Sequence, residues 1–137
     1  MEPFDEAVRR YLRDRPQATV VALGEGLDTG FWRVDNGQLR WLTVEEPATA
    51  ALRRMLLPDG PRWRTLTGRL TGPNWPTAVA RPALGVLVLV FGPPPAAGAL
   101  RELRALCARR LPGAALLLEA PLRQRYRPSA HRWWRCR

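Results

Sequence analysis

Apolar positions along this chain follow two different spacings. Phe4, Val8, Tyr11 and Leu12 recur at i, i+4, i+7 and i+8, one face of a helix that ends before Pro16. From Thr19 the spacing changes. TVVALG, 19–24, is continuously β-branched and apolar, as a strand covered on both faces should be. RWLTVEE, 40–46, predicts a second strand, and Pro47 opens a helix with Ala48, Leu52, Met55 and Leu56 on its inward side. RWRTLTG, 62–68, is a weaker third strand, and LGVLVLVFG, 84–92, is the strongest in the chain. Pro93 to Pro95 precede a helix that turns Leu100, Leu103, Cys107 and Leu111 inward and stops at Gly113. AALLLEA, 114–120, closes the pattern as a fifth strand.

Strands alternating with helices at this spacing predict an α/β fold: an open, mostly parallel five-stranded sheet with helices on both faces. Asp35-Asn36-Gly37 is a hairpin signal, and FWRV and QLRW could pair around it. About fifteen residues separate the first two strands, however, which favours a short helix and then a turn into the second strand. The proline-rich stretches 72–82 and 93–95 are expected to be loops. There is no internal repeat.

At 137 residues the chain has the length of one domain, and with 46% apolar residues it should be globular. No apolar run reaches membrane-spanning length. The start, MEPFDEAVRR, is acidic and amphipathic, unlike a signal peptide, so a cytoplasmic location is expected. Cys107 and Cys136 are too few and too ill-placed for a disulfide framework or a zinc site. All 22 basic residues are arginine, which resembles a coding bias more than a designed surface. Of the net charge of +10, +6 falls on 123–137, leaving an ordinary balance elsewhere. The chain therefore divides into a core, 1–122, and a basic aromatic tail, 123–137, expected to lack fixed structure.

In a parallel sheet, ligands bind at the carboxyl ends of strands where strand order reverses. The first strand ends in Gly24-Glu25-Gly26, where glycines permit a tight turn and let backbone N–H groups approach a ligand. Glu45 ends the second strand, and a carboxylate there can accept both hydroxyls of a ribose. Gly-x-Gly with that acid suggests an adenosine-type cofactor, beside the plainer alternative of a tight turn with no ligand. A dinucleotide needs a third glycine at position 29, which is Thr29, and Asp28 would face its pyrophosphate. S-adenosylmethionine carries no phosphate and has a sulfonium cation, so the acid is tolerated.

TVVALGEGLDTGFWRV followed by LRWLTVEEP resembles the leucine carboxyl methyltransferase family, especially its polyketide-pathway O-methyltransferase branch. RMLLPDGPRWRTL, LGVLVLV and RRLPGAALLLEAP continue the likeness, which spans about 4–122 and is most specific over Leu23–Thr29. The resemblance implies a Rossmann-like methyltransferase core that moves a methyl group from S-adenosylmethionine to oxygen on a small-molecule acceptor, polyketide-type or carboxylate. It implies that Gly24, Glu25 and Gly26 line the methionine part of the cofactor. Asp28 would hold the loop or touch the ammonium, Arg33 would pair with the cofactor carboxylate, and Glu45 would hold the ribose. It supplies no catalytic side chain and no metal.

The sequence also departs from the family pattern. Gly30 stands where an arginine is common, Gly72 where an acid lies near the adenine, and Phe91-Gly92-Pro93 where a polar residue and a substrate loop follow the fourth strand. These departures imply an enzyme impaired unless a second chain, a copy or a partner, completes the lid. They leave open a catalytically inactive remnant that binds or dimerises. RQRYRPSAHRWWRCR raises a third reading, a nucleic-acid-binding tail of arginines with stacking aromatics, against the simpler one of an unstructured terminus. Plainer roles also stand for single residues. Glu45 and Glu46 would cap the helix after Pro47, Arg33 would be locally paired, and Trp32, Trp41, Trp63 and Trp75 would be packing. His131 would be a surface residue and Cys107 inert core.

Overall fold

The computed structural model describes residues 4–119 and 132–136. A six-stranded sheet forms the centre: β1 (Thr19–Leu23), β2 (Arg40–Glu45), β3 (Trp63–Thr67), β4 (Val86–Val90), β5 (Ala115–Leu118) and β6 (Arg132–Arg135). Their order is β3-β2-β1-β4-β5-β6. The first five are parallel and β6 runs antiparallel to β5. The helices are α1 (Asp5–Asp14), α2 (Gly30–Val34), α3 (Pro47–Leu56), α4 (Asn74–Thr77) and α5 (Ala97–Arg110), with a 3-10 turn at Pro82–Leu84.

β1 and β4 read as unbroken apolar runs because both faces of the sheet are covered. Val21, Leu23, Leu42, Val44, Val88 and Val90 face α4 and α5, packing with Trp75, Leu103 and Cys107. Val20, Ala22, Leu87 and Leu89 face the other way, against Val8 and Leu12 of α1, Phe4 just before it, and Phe31 of α2. Tyr11 completes the expected α1 face and donates its hydroxyl to Val86 O at 3.1 Å. The short helix expected after the glycine loop is α2, and Asp35-Asn36-Gly37 is the turn behind it, with Asp35 Oδ1 accepting Gly37 N–H. A small hairpin there is not formed.

Three expectations change. The apolar side of α3 does not face inward: Leu52, Met55 and Leu56 are 44%, 75% and 56% exposed, while Ala50 and Arg53 are buried. Within 72–82, read as loop, Asn74–Thr77 forms a helical turn that buries Trp75. Arg132–Arg135, assigned to a tail expected to lack fixed structure, forms a strand that pairs with β5 and covers its edge. Residues 123–131, including Tyr126 and His131, lie outside the described residues.

The topology locates the site. β1 sends its crossover to β2 on one side and has β4 on the other, so strand order reverses at β1. Leu23 is level with Val44 and Val90, which sets Gly24, Glu45 and Phe91 in one row where β1, β2 and β4 end.

Candidate cofactor site

The chain leaves β1 in a tight loop between β2 and β4. Gly24 N–H donates to Val44 O at 3.1 Å, and Phe91 N–H to Leu23 O at 3.1 Å, so the loop starts pinned to both neighbours. Gly24 and Gly26 have φ of +76° and +65°, and a Cβ built on either meets nothing within 4 Å. The loop therefore needs glycine for backbone conformation, and the space above both residues is open.

Glu45 reaches that loop directly. Its Oε2 accepts Gly26 N–H at 2.8 Å, and its carbonyl accepts Gly68 N–H at 2.9 Å. One acid thus joins the β1 loop to the end of β3. Burial pushes the Glu45 carboxyl above its ordinary range, partly offset by the Gly26 hydrogen bond and Arg53. Glu46 precedes α3 but makes no side-chain cap.

Glu25 points the other way, into the protein. Its Oε2 accepts Trp41 Nε1–H at 2.9 Å. Its Oε1 lies 2.8 Å from Arg53 Nη2, at ion-pair distance but without hydrogen-bond geometry. Burial raises the Glu25 carboxyl to about 8, against the lowering influence of Arg53 and Trp41. The Glu25 side chain is thus turned away from the open face of the loop, and its carbonyl accepts Asp28 N–H at 3.2 Å.

Arg53 is the residue that sequence reasoning missed. It is 3% exposed, and its Nη1 donates to both Gly26 O and Asp28 O at 2.8 Å. The guanidinium fills the underside of the loop while its Nη2 meets Glu25. The only local signal was an arginine three residues after the buried Ala50, on the same helix face.

Asp28 and Arg33 hold the loop from outside. Asp28 Oδ1 accepts Thr29 N–H at 2.8 Å. Arg33 donates through Nε and Nη2 to Asp5, and through Nη1 and Nη2 to Asp28, with Nη1 also bonded to Thr29 Oγ1. Burial works against the Arg33 charge, but its bonds to Asp5 and Asp28 outweigh this and raise its pKa further. A guanidinium has five N–H donors. All five are engaged, so a cofactor carboxylate could reach Arg33 only by displacing Asp5, Asp28 or Thr29.

Beyond Glu45 the strand ends open into a cleft of about 450 Å³, lined by residues that include Glu46, Pro47, Gly68, Gly72, Asn74 and Trp75. On the other side of the glycine loop, Phe91 is half-buried and meets Phe4 edge-on at 4.8 Å. The row thus runs from an apolar wall, across an open glycine turn and an acid, into a cleft of nucleoside size.

No family model matches the chain. It is 34% identical over 86 residues to the tetracenomycin polyketide synthesis O-methyltransferase TcmP of Streptomyces glaucescens. That match takes in 61% of this chain and 32% of TcmP, so the chain spans about a third of the length of the curated relative it matches. Among solved structures it is similar to the S-adenosylmethionine-bound amino pentose methyltransferase CalS10 of Micromonospora echinaspora, with a TM-score of 0.54 and 20% identity. That overlap takes in 84% of this chain and 48% of CalS10. The fold is that of the Rossmann-like methyltransferases. The glycopeptide N-methyltransferase MtfA, solved with S-adenosylhomocysteine, shares it with a TM-score of 0.59 and 17% identity, over 96% of this chain and 58% of MtfA. In this methyltransferase fold the glycine loop of the chain stands at the strand-order reversal, with Glu45 beside it.

Proposed function

We propose that the chain is the cofactor-binding part of an S-adenosylmethionine-dependent O-methyltransferase acting on a small-molecule acceptor of polyketide or carboxylate type. The observation that carries the proposal is the placement of Glu45. It ends β2 beside the β1 loop, whose two positive-φ glycines leave the space above them open. The match to the tetracenomycin O-methyltransferase supports it, and LGEGLDTG with VEEP supports a tie to the leucine carboxyl methyltransferases.

In this proposal the open, Cβ-free faces of Gly24 and Gly26 let the methionine part lie close against the loop backbone, and Glu45 accepts the ribose hydroxyls with Oε1 while Oε2 retains Gly26 N–H. The cleft beside Glu46, Pro47 and Gly72 receives the adenine. Asp28 and Arg33 keep the loop in shape. Arg33 therefore acts through the loop and not on the cofactor carboxylate. Bound S-adenosylmethionine would supply an electrophilic methyl group on a sulfonium. A carboxylate acceptor is already ionised at neutral pH, so the chain needs no general base. Its contribution is to align the acceptor oxygen and to exclude water above the loop, with Phe91 and Phe4 forming the dry side. A partner or copy would supply the remaining cover.

The test is a thermal melt with and without S-adenosylhomocysteine. Stabilisation by the ligand, lost in Gly26→Val and Glu45→Ala, supports the proposal. A folded chain whose melting is unchanged at millimolar ligand contradicts it.

A second reading, a catalytically silent module that associates with itself, is favoured by Leu52, Met55 and Leu56 standing exposed on α3. Light scattering that shows a dimer, broken by Met55→Glu, would support it. A monomer at all concentrations would not.

A further inference from the structure

Cys107 lies on the inward face of α5, and Cys136 directly follows β6. Both are buried, at 0% and 3% exposure, in one apolar cluster with Leu103, Leu106, Leu111 and Ala114. The backbone brings them together. Cys136 extends the β5–β6 ladder by one step, its N–H donating to Ala114 O at 2.8 Å and its carbonyl accepting Gly113 N–H. Leu111 N–H donates to Cys107 O at 2.7 Å, so the same short turn that ends α5 leads to the residues holding Cys136. The two thiols are near enough that each shifts the other's acidity. They sit at the amino end of β5, away from the glycine loop, and nothing in the proposed cofactor site uses them.

A groove of about 460 Å³ reaches Cys136 from solvent, lined by Arg101, Arg104, Ala105, Ala108, Arg135 and Cys136 itself, while Cys107 stays fully buried. The groove's three guanidinium groups make the approach cationic. The neighbouring Cys107 lowers the Cys136 thiol below its ordinary range, with help from Arg104 and against burial. The same proximity, together with burial, raises Cys107. Cys136 lines the groove and Cys107 does not, so the two thiols are unequal: Cys136 is placed to meet an incoming disulfide first, and its lowered pKa suits it to attack.

We propose that Cys107 and Cys136 are a reversible redox site, in which Cys136 attacks an anionic low-molecular-weight disulfide arriving through the arginine-lined groove and Cys107 resolves the product. The Cys136 thiolate bonds to one sulfur of the incoming disulfide, whose S–S bond breaks and releases one thiolate. Cys107 then gives its proton to solvent and attacks Cys136 Sγ, expelling the second thiolate. Two protein thiols are oxidised to one disulfide, and the incoming disulfide is reduced to two thiols. The new bond fastens β6 to α5 and closes the chain between 107 and 136 into a loop. Since β6 covers the edge of β5, the redox state sets how firmly that edge is protected.

The experiment is to incubate the full chain with oxidised glutathione, unfold and alkylate it, and measure intact mass and peptide linkage. The expected product is about 2 Da lighter than the reduced chain, has no alkylatable thiol, and yields a linked Cys107–Cys136 peptide. Its melting midpoint should rise by roughly 5 °C or more, and dithiothreitol should reverse every change. Cys136→Ala, which removes the attacking thiol, should give neither a linked peptide nor glutathione on Cys107. Two thiols that remain alkylatable, a glutathione adduct that persists on Cys136, or linkage only between chains would overturn the proposal.

Discussion

Glu45 Oε2 accepts the backbone N–H of Gly26 at 2.8 Å, tying the end of β2 to the loop after β1 across 19 residues of sequence. The bond gives Glu45 a structural duty in addition to any ligand it meets, and substitutions can separate the two. Glu45→Ala leaves Gly26 N–H without its partner and should cost about 1–2 kcal/mol of stability. Glu45→Gln keeps an acceptor for Gly26 and should fold within about 0.5 kcal/mol of the parent. It should still lose about tenfold in S-adenosylhomocysteine affinity, because an amide has one acceptor oxygen where the carboxylate has two. Urea unfolding and calorimetric titration of both variants check this.

Gly26 and Gly30 should respond to a methyl group in different ways. At Gly26 the added Cβ meets nothing, so Gly26→Ala should cost only the left-handed backbone penalty, about 1–2 kcal/mol. At Gly30 a Cβ would lie 3.0 Å from Trp41 Cη2, so the indole must move and its bond to Glu25 must adjust. Gly30→Ala should therefore alter tryptophan fluorescence in the folded state, and Gly26→Ala should not.

Glu25 makes stability depend on pH. Its folded pKa of about 8 lies above the ordinary 4.5, so between those values the folded chain holds a proton that the unfolded chain has released. Stability from this group is complete below about pH 4.5 and is lost as pH rises through about 8, by at most about 1.4 kcal/mol per unit. Glu25→Gln should flatten that slope in denaturation measured from pH 5 to 8. A slope unchanged by the substitution would contradict the assignment.

Arg53→Met removes two hydrogen bonds to loop carbonyls together with the partner of Glu25. Glu25 can neutralise itself by holding its proton, so the loss should stop at about 2–4 kcal/mol. Chemical denaturation measures it, and the pH slope should move to higher pH in the same variant.

Arg33 tests the division between holding the loop and holding a ligand. With all five donors engaged by Asp5, Asp28 and Thr29, Arg33→Met should cost about 1 kcal/mol of stability and leave S-adenosylhomocysteine affinity within about threefold. An affinity loss beyond thirtyfold with unchanged stability would make Arg33 a direct ligand.

Much of the fold was legible because the strands are covered on both faces. Unbroken apolar runs such as 86–90 leave little ambiguity about where a strand lies, and Pro47 and Gly113 mark helix ends through backbone constraints that act locally. The glycine loop was legible for the same reason. What failed depended on contacts distant in sequence. Leu52, Met55 and Leu56 carry the helical period of a buried face, yet Arg53 takes the inward position because its partners lie 25 and 27 residues earlier. The inward turn of Glu25 depends on Trp41, 16 residues on. β6 and the Cys107–Cys136 pair depend on the chain returning after 119, and the arginine-rich composition of the tail carried no strand signal.

The central claim, a cofactor loop working with Glu45, is tested most directly by amide NMR spectra recorded during titration with S-adenosylhomocysteine. Shifts concentrated at Gly24–Asp28, Glu45–Glu46 and Gly68–Gly72, saturating with one ligand per chain, are the expected result. Spectra of the folded chain that do not move at millimolar ligand, or that move only around Arg101, Arg104 and Arg135, would contradict it.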